Sequence, residues 1–226
     1  MNVYAVSFDV FGTLLSVAAP IGETYAAALT VESGSEASAD TVEERFREAF
    51  RTVTAQPRGR LLDEAAWQRI VETTFTGLCP PQSMEAVFQR LWHHYSCAEA
   101  FRVLPGVLAG LDKLKACRLP LAVISNNDSR THGVLEGLGL RKYFDFVLLS
   151  AEIGEAKPEV GMFREAQERW GLEPEGLLHA GDLLSEDVAG AQAAGWLAAW
   201  LAPQAEAPDG VLAIGSIEEL ADRLAS

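Results

Sequence analysis

The chain has 226 residues, of which 49% are hydrophobic and 22% are charged, so it can build a substantial core. Its formal net charge of −14 argues against nucleic acid or an anionic membrane as a partner. No apolar run approaches the roughly 20 residues that a membrane-spanning helix needs. The three cysteines form no metal-ligand pattern, which predicts reduced thiols and a cytoplasmic protein.

The chain starts with an apolar segment, "VYAVSFD", that we predict to be a buried strand ending at Asp9. Residues 16–100 then show helical spacing and no strand-like run. The segment "ADTVEERFREAFRTV" is predicted to begin a helix at Asp40 or Thr41, because either side chain can cap a helix. By the same reasoning "LDEAAWQRIVETTF" begins at Asp63, and a third helix follows in "SMEAVFQRLWHHY".

From Pro105 onward, short apolar runs alternate with helical segments. The runs are "LAVISN", "FDFVLLS", "GLLHAGD" and "LAAWLA". Nearly continuous apolar strands are typical of a parallel sheet that is covered by helices on both faces. The pattern therefore predicts an α/β fold in which residues 1–15 and 101–226 form the core. Residues 16–100 are predicted to form a helical domain inserted after the first strand.

Small polar residues stand where the predicted strands end. Asp9 follows the first strand, Ser125 and Asn126 follow "LAVI", and Asp182 follows "LLHAG", while Lys157 precedes a helix predicted to begin near Pro158. Each residue alone is explained by a helix cap or a turn. Together they indicate a site, because ligands of open α/β sheets bind at the carboxyl ends of the strands.

The chemistry of these groups points to a phosphoryl substrate. Two carboxylates at one edge, Asp9 and Asp182, repel each other unless a cation joins them. Oxygen ligands suit Mg²⁺, and a magnesium ion with a lysine suits a phosphoryl group. Asp9 is then a candidate nucleophile that forms an aspartyl-phosphate. The expected substrate is a small, anionic molecule.

Four ordered motifs resemble the haloacid dehalogenase superfamily: "FDVFGTL", "VISNND", "KPEVGMF" and "GDLLSEDVAGAQAAG". The resemblance implies a Rossmann-like core with an inserted helical cap. It also implies Asp9, Ser125 and Lys157 as catalytic residues. Substrate contacts are implied for Phe11, Gly12, Thr13 and Asn126. Ligands for Mg²⁺ are implied to be Asp9, the Phe11 main-chain carbonyl, Asp182 and Asp187.

Phe11 departs from the phosphatases of the superfamily, which carry a second aspartate there as general acid and base. Loss of such a group costs roughly 10²- to 10⁴-fold in rate, so we expect weakened hydrolysis of a small phosphate ester. A first motif without that aspartate, with "VISNNDSR", resembles the subgroup of haloacid-dehalogenase-like hydrolase-domain and rhythmically-expressed-gene-type proteins.

Two alternatives stay open. An aromatic residue at position 11 also resembles the metal-independent L-2-haloacid dehalogenases, but Asp182, Glu186 and Asp187 would repel the carboxylate of a 2-haloacid. The other alternative is a non-catalytic protein that keeps the site to bind a ligand. For Arg45, Arg47 and Arg51 on a predicted helix, anion binding and pairing with nearby glutamates are both open. His179 is predicted to be a buried, hydrogen-bonded structural histidine.

Overall fold

The computed structural model of the chain describes residues 2–202 and 207–225, apart from the side chains of Pro57 and Arg58. Strands and helices alternate through most of it. The strands are β1 (Ala5–Phe8), β2 (Leu15–Val17), β3 (Phe101–Val103), β4 (Leu121–Ser125), β5 (Phe146–Leu149), β6 (Leu177–Gly181), β7 (Leu197–Leu201) and β8 (Val211–Ile214). The helices are α1 (Ile21–Ser33), α2 (Ala39–Thr54), α3 (Glu64–Thr74), α4 (Met84–His94), α5 (Val107–Ala116), α6 (Arg130–Gly137), α7 (Ser150–Ile153), α8 (Gly161–Trp170), α9 (Ala189–Ala193) and α10 (Ile217–Leu224).

Six parallel strands form the main sheet in the order β5-β4-β1-β6-β7-β8. All residues of β1, β4 and β6 are buried, as expected for strands covered on both faces. This arrangement confirms the predicted α/β fold. Since β1 lies between β4 and β6, the carboxyl ends of these three strands are neighbours, and the residues that follow them share one edge.

Helices α1 to α4 enclose a hydrophobic cluster of their own. Its largest buried members are Tyr25, Phe46, Ile70, Phe75, Phe88 and Leu91. The division of the chain into a core and an inserted cap at residues 16–100 stays a prediction. Among the described residues, no helix is both long and apolar enough to cross a membrane.

The helix starts of this segment were predicted with mixed success. Asp63 caps α3 as expected, because its Oδ1 accepts a hydrogen bond from the main-chain nitrogen of Ala66 at 2.8 Å. The predicted start of α2 at Asp40 or Thr41 is wrong. Ser38 is the cap and accepts a hydrogen bond from the main-chain nitrogen of Thr41 at 3.2 Å. Asp40 lies instead in the first turn, where its charge favours the helix dipole.

Three short strands were not predicted. β2 and β3 form an antiparallel ribbon in which Leu15 pairs with Val103 and Val17 with Phe101. Each has three residues, too few to reveal an alternating pattern. β8 is an edge strand whose residues are mostly half-buried, so it lacks the continuous apolar signal of the central strands. The chain passes from the main sheet to helices α1 to α4 through β2 and returns through β3, so the ribbon contains both connections.

Candidate active site

Three carboxylates meet at the carboxyl edge of the sheet. Asp9 follows β1, and Asp182 and Asp187 follow β6. Each offers one oxygen, and these oxygens all lie within 4.8 Å of one another. Ser125 ends the neighbouring strand β4 and is also buried. The structure therefore brings together the acidic residues that the sequence singled out from two separate strand ends.

Lys157 is buried in the middle of this group. Its Nζ lies 2.7 Å from Asp9 Oδ1 and 2.5 Å from Asp187 Oδ1, and it donates a third hydrogen bond to the main-chain oxygen of Ile124 at 2.9 Å. Burial alone would lower the pKa of Lys157, but the charges of Asp187 and Asp9 raise it above its ordinary value. The ammonium group is therefore charged at any physiological pH.

Asn126 fixes the main chain at Lys157. Its amide nitrogen donates to the main-chain oxygen of Lys157 at 3.0 Å, and its amide oxygen accepts from the main-chain nitrogen of Lys157 at 2.8 Å. The same amide nitrogen also donates to Glu186 Oε2 at 2.8 Å. Asn126 lines the cavity, as a substrate-contacting residue would, but its side-chain amide is already engaged in positioning Lys157.

Asp187 is held on several sides. Beyond the ion pair with Lys157, its Oδ1 lies 3.2 Å from His179 Nε2, and its Oδ2 accepts from the main-chain nitrogen of Leu183 at 2.9 Å. Burial acts to raise the pKa of Asp187, but Lys157 and His179 together outweigh it and the pKa is lowered. His179 is buried in β6 and bonded to Ser7 at 2.8 Å, the structural setting that the sequence predicted.

Asp182 differs from Asp9 and Asp187 because no lysine or arginine of the described residues forms an ion pair with it. Thr13 donates a long hydrogen bond of 3.4 Å to its Oδ1. Burial, followed by the charges of Asp9 and Asp187, raises the pKa of Asp182 to about 7. Gly12 packs directly against it, since a Cβ on Gly12 would lie 2.3 Å from Asp182 Oδ2. The first loop therefore contacts this carboxylate through two of the residues predicted from the sequence.

Phe11 is half-buried and packs on Phe101, with ring centroids 5.0 Å apart. Its side chain lines the cavity beside Asp9. A hydrocarbon ring at this position neither donates nor accepts a proton. The site thus has a carboxylate held by a lysine, but at position 11 it has no general acid.

A cavity of about 340 Å³ lies between the sheet edge and the helical segment. The sheet side contributes Asp9, Phe11, Ser125, Asn126 and Asp187 among others. The opposite walls are mostly apolar. They include Ile21, Tyr25, Phe46, Phe50, Leu62, Trp67, Tyr95, Phe101 and Val134. Sequence reasoning missed these wall residues because most of them occur at ordinary helical spacing and none carries a motif.

The arginine residues proposed from the sequence do not line this cavity. Arg47 pairs with Glu43 at 3.1 Å and Arg51 with Glu48 at 2.7 Å, while Arg45 donates to the main-chain oxygen of Thr76 at 2.8 Å. Pairing with glutamates, one of the two interpretations left open, is therefore what Arg47 and Arg51 do. Two other arginines, Arg60 and Arg130, line the cavity instead.

Comparison with known proteins agrees with the motifs and the fold. The family described as haloacid dehalogenase-like hydrolase matches residues 3–195. Haloacid dehalogenase-like hydrolase domain-containing protein 3 of Mus musculus is 38% identical over 200 residues, which cover 84% of this chain and 78% of that protein.

Two solved structures share the whole fold. The putative HAD-hydrolase YfnB from Bacillus subtilis, bound to magnesium, superposes with a TM-score of 0.79 at 20% identity and covers 100% of both chains. The 2-haloacid dehalogenase from Pseudomonas syringae pv. Tomato DC3000 superposes with a TM-score of 0.71 at 26% identity, covering 99% of this chain and 98% of that chain. The family match, the 38% identity to the Mus musculus protein and the shared fold lead to one conclusion: the chain belongs to the haloacid dehalogenase-like hydrolases.

Proposed function

We propose that this hydrolase is Mg²⁺-dependent and cleaves small phosphate monoesters through a covalent aspartyl-phosphate on Asp9. The observation that carries the proposal is the contact between Asp9 and Lys157 inside a group of three carboxylates. A role as nucleophile is supported by three features of Asp9: it is buried at a strand end, it lines the cavity, and an ammonium group holds it.

The residues at this edge fit a magnesium ion. Asp9, Asp182 and Asp187 supply oxygen donors within 4.8 Å of one another, and Mg²⁺ prefers oxygen ligands. Lys157 is the cation paired with two of them, so three negative charges face one positive charge. The raised pKa of Asp182 has two causes: its burial, and repulsion from the charges of Asp9 and Asp187. When bound, the ion would neutralise this excess charge and stabilise the charge on a phosphoryl group.

Each of the residues at this edge then has a separate role in the proposed reaction. An Asp9 carboxylate oxygen attacks phosphorus, a new O–P bond forms, and the bond from phosphorus to the alcohol oxygen breaks with its electron pair on that oxygen. Lys157 balances the charge on Asp9 and the phosphoryl oxygens, and the hydroxyl of Ser125, which lines the cavity, hydrogen-bonds the transferring group. Attack of water on the aspartyl-phosphate then releases inorganic phosphate and restores Asp9.

Phe11 determines which esters are cleaved fastest. An alkoxide leaving group needs a proton as it departs, and the Phe11 ring has none to give. The leaving groups of aryl and acyl phosphates are aryloxides and carboxylates, which are weaker bases than alkoxides. Hydrolysis of these esters therefore depends less on a general acid. We expect slow turnover of alkyl phosphates and faster turnover of aryl phosphates.

A second candidate is 2-haloacid dehalogenation, which the same Phe11 and the apolar cavity favour. Asp9 would form a bond to carbon while the carbon–halogen bond breaks and halide leaves with its electron pair, a step that needs no proton. The carboxylates Asp182, Glu186 and Asp187 near the attack site disfavour an anionic 2-haloacid in the absence of a cation. We therefore rank this activity below phosphate ester hydrolysis.

The deciding experiment measures phosphate and halide release by the purified chain on a panel of alkyl phosphates, aryl phosphates and 2-haloacids. The expected result is phosphate release that EDTA abolishes, added Mg²⁺ restores and Asp9→Asn eliminates. Halide release that EDTA leaves unchanged would assign the dehalogenase activity instead. Binding of magnesium and phosphate without any turnover would assign the non-catalytic alternative.

A further inference from the structure

Away from the sheet edge, the cavity beside Asp9 has mostly apolar walls. Aromatic rings from three parts of the chain line it: Tyr25 of α1, Phe46 and Phe50 of α2, and Phe101 of β3. Several of these rings contact each other, with the centroids of Tyr25 and Phe46 5.1 Å apart. A molecule that occupies the cavity must therefore exchange water for ring faces and edges, which favours an apolar, ring-bearing group.

Of the two arginines that line the cavity, Arg60 is exposed and Arg130 is compensated by a neighbouring carboxylate. The guanidinium of Arg130 makes two hydrogen bonds to Asp128, from Nε at 2.9 Å and from Nη2 at 2.7 Å. It also lies 3.5 Å from the centroid of the Trp92 ring. Because Arg130 is already paired and stacked, it offers little net charge to a ligand. Away from Arg60 and the sheet edge, a charged or hydroxyl-rich group would lose its hydration without gaining equivalent partners.

Three polar side-chain atoms of the wall residues are buried and make no hydrogen bond within the described part of the chain. One of them, the Tyr95 hydroxyl, has Thr24 beside it, so the other two are the stronger candidates for a ligand contact. The hydroxyl of Thr131 and the indole nitrogen of Trp67 are buried, and neither has a hydrogen-bond partner among the residues that the structure describes. Both residues line the cavity. An indole N–H can only donate, and a hydroxyl can donate. Unpaired buried donors are costly, so a ligand that carries an acceptor would be stabilised if either side chain turns its donor toward the cavity.

The volume sets the scale of the ligand. About 340 Å³ lies at the lower end of the usual range for small-molecule sites. It is suited to one or two rings next to the phosphate. The phosphate itself belongs at the sheet edge, where Asp9, Ser125 and Lys157 lie.

We propose that the substrate is an aryl phosphate monoester whose uncharged aromatic group fills this cavity and whose ring carries a hydrogen-bond acceptor for Thr131 or Trp67. This inference rests on the proposed phosphate ester hydrolysis and adds the class of the leaving group. A pocket that hydrogen-bonds a substrate atom discriminates strongly against analogues without that atom, because its own donors are then left unpaired. The two donors therefore serve specificity, and the rings serve affinity.

Binding and turnover are measured separately to test this. Non-hydrolysable phosphonates report the cavity alone: methylphosphonate, benzylphosphonate and the three acetylbenzylphosphonate isomers, each titrated by calorimetry into the full chain with Mg²⁺. We expect benzylphosphonate to bind at least about tenfold more tightly than methylphosphonate. We expect at least one acetyl isomer to bind more tightly still.

Matched variants identify the donors. Thr131→Val and Trp67→Phe each remove one unpaired donor; the first keeps the shape of the side chain and the second keeps an aromatic ring. The gain from the acetyl group should disappear in one of these two, while the affinity for benzylphosphonate stays. Thr74→Val and Trp170→Phe are the controls, because these residues are outside the cavity lining and Trp170 also has an unpaired indole nitrogen. Both controls should retain the gain.

Three results would overturn the inference: equal affinity for methyl- and benzylphosphonate, no isomer whose gain depends on Thr131 or Trp67, or faster hydrolysis of nucleoside monophosphates than of phenyl phosphate. These results differ from a failure of the proposed function. Tight benzylphosphonate binding without hydrolysis of any ester would refute the hydrolysis and retain the aromatic site. Hydrolysis of all esters regardless of their size would do the reverse.

Discussion

Lys157 Nζ lies 2.7 Å from Asp9 Oδ1 and 2.5 Å from Asp187 Oδ1, and almost no part of the lysine side chain reaches solvent. The buried ammonium group of Lys157 thus links Asp9, which follows β1, to Asp187, which lies in the segment after β6. Removing it would leave two buried carboxylates without a counter-ion. Loss of one partner of a buried ion pair costs far more than loss of an exposed one.

Lys157→Met should therefore lower the free energy of unfolding by about 3–5 kcal/mol. Urea denaturation followed by circular dichroism measures this. Lys113→Met is the matched control, because Lys113 also contacts two carboxylates, Glu218 and Asp222, but lies at the surface. The control should unfold close to the wild-type midpoint. Similar losses in the two variants would show that the buried charge pairing is not what Lys157 contributes.

Phe11→Asp should raise the rate of alkyl phosphate hydrolysis by roughly 10²- to 10⁴-fold, because it supplies the missing proton donor. The gain should be smaller for aryl phosphates, whose leaving groups need less protonation. Steady-state kinetics on one ester of each type measures both effects. Phe11→Asn is the control: it also removes the packing on Phe101 but cannot transfer a proton. An equal gain in Phe11→Asn would attribute the effect to space rather than to acid catalysis.

Gly12→Ala should weaken Mg²⁺ binding by about 10- to 100-fold, the usual effect of disturbing a group that positions a metal ligand. The new methyl group would meet Asp182 Oδ2 at 2.3 Å and displace that carboxylate. Gly154→Ala is the control, since Gly154 has a similar φ of 83° against 93° for Gly12 but has open space around it. Both variants share the backbone cost of a left-handed residue. Isothermal titration with Mg²⁺ separates them, and equal affinities in the two would contradict the proposed role of Asp182.

The pH dependence of stability should reveal Asp182 when metal is removed. Its pKa is about 7 in the folded protein against an ordinary value of 3.8, because burial and the charges of Asp9 and Asp187 disfavour ionisation. Between these values the folded state holds a proton that the unfolded state has released. The free energy of unfolding in EDTA should therefore fall as the pH rises from about 4 to about 7.

Asp182→Asn isolates this contribution, because asparagine does not titrate. The decline with pH should be shallower in the variant than in the wild-type chain, in denaturation curves recorded in EDTA at several pH values. Excess Mg²⁺ should flatten the wild-type curve, since the bound ion would stabilise the ionised form. Parallel wild-type and variant curves in EDTA would exclude Asp182 as the titrating group.

The sheet and its polar edge could be predicted because their signals are local and strong. Strands such as β4 and β6 are continuously apolar, and each ends in a polar residue, so Ser125 and Asp182 stood out directly. Their convergence with Asp9 followed from the rule that parallel strands deliver their carboxyl ends to the same edge. Lys157 was singled out by its place before a predicted helix, and the family motifs gave it a role; its distance along the chain gives no hint of its contact with Asp9.

What escaped prediction depends on tertiary contacts. Ser38 caps α2 although Asp40 and Thr41 were equally plausible by residue type. The amide of Asn126 bonds to the main chain of Lys157, a contact that no spacing rule suggests. Trp67 and Thr131 line the cavity from different helices, and on each helix they occupy ordinary positions of a half-buried face. Only the folded chain brings such residues around one ligand.

The pairing of Leu15 with Val103 has an evolutionary consequence. The polypeptide departs toward the four helices and returns from them at two adjacent points, so the gap that any intervening segment must bridge is fixed and short. Another segment of different length and wall chemistry could be exchanged there without shifting the register of the six-stranded sheet. Under the proposed function, a lineage could acquire new leaving-group preferences through a single replacement of this segment while Asp9, the proposed nucleophile, stays in place.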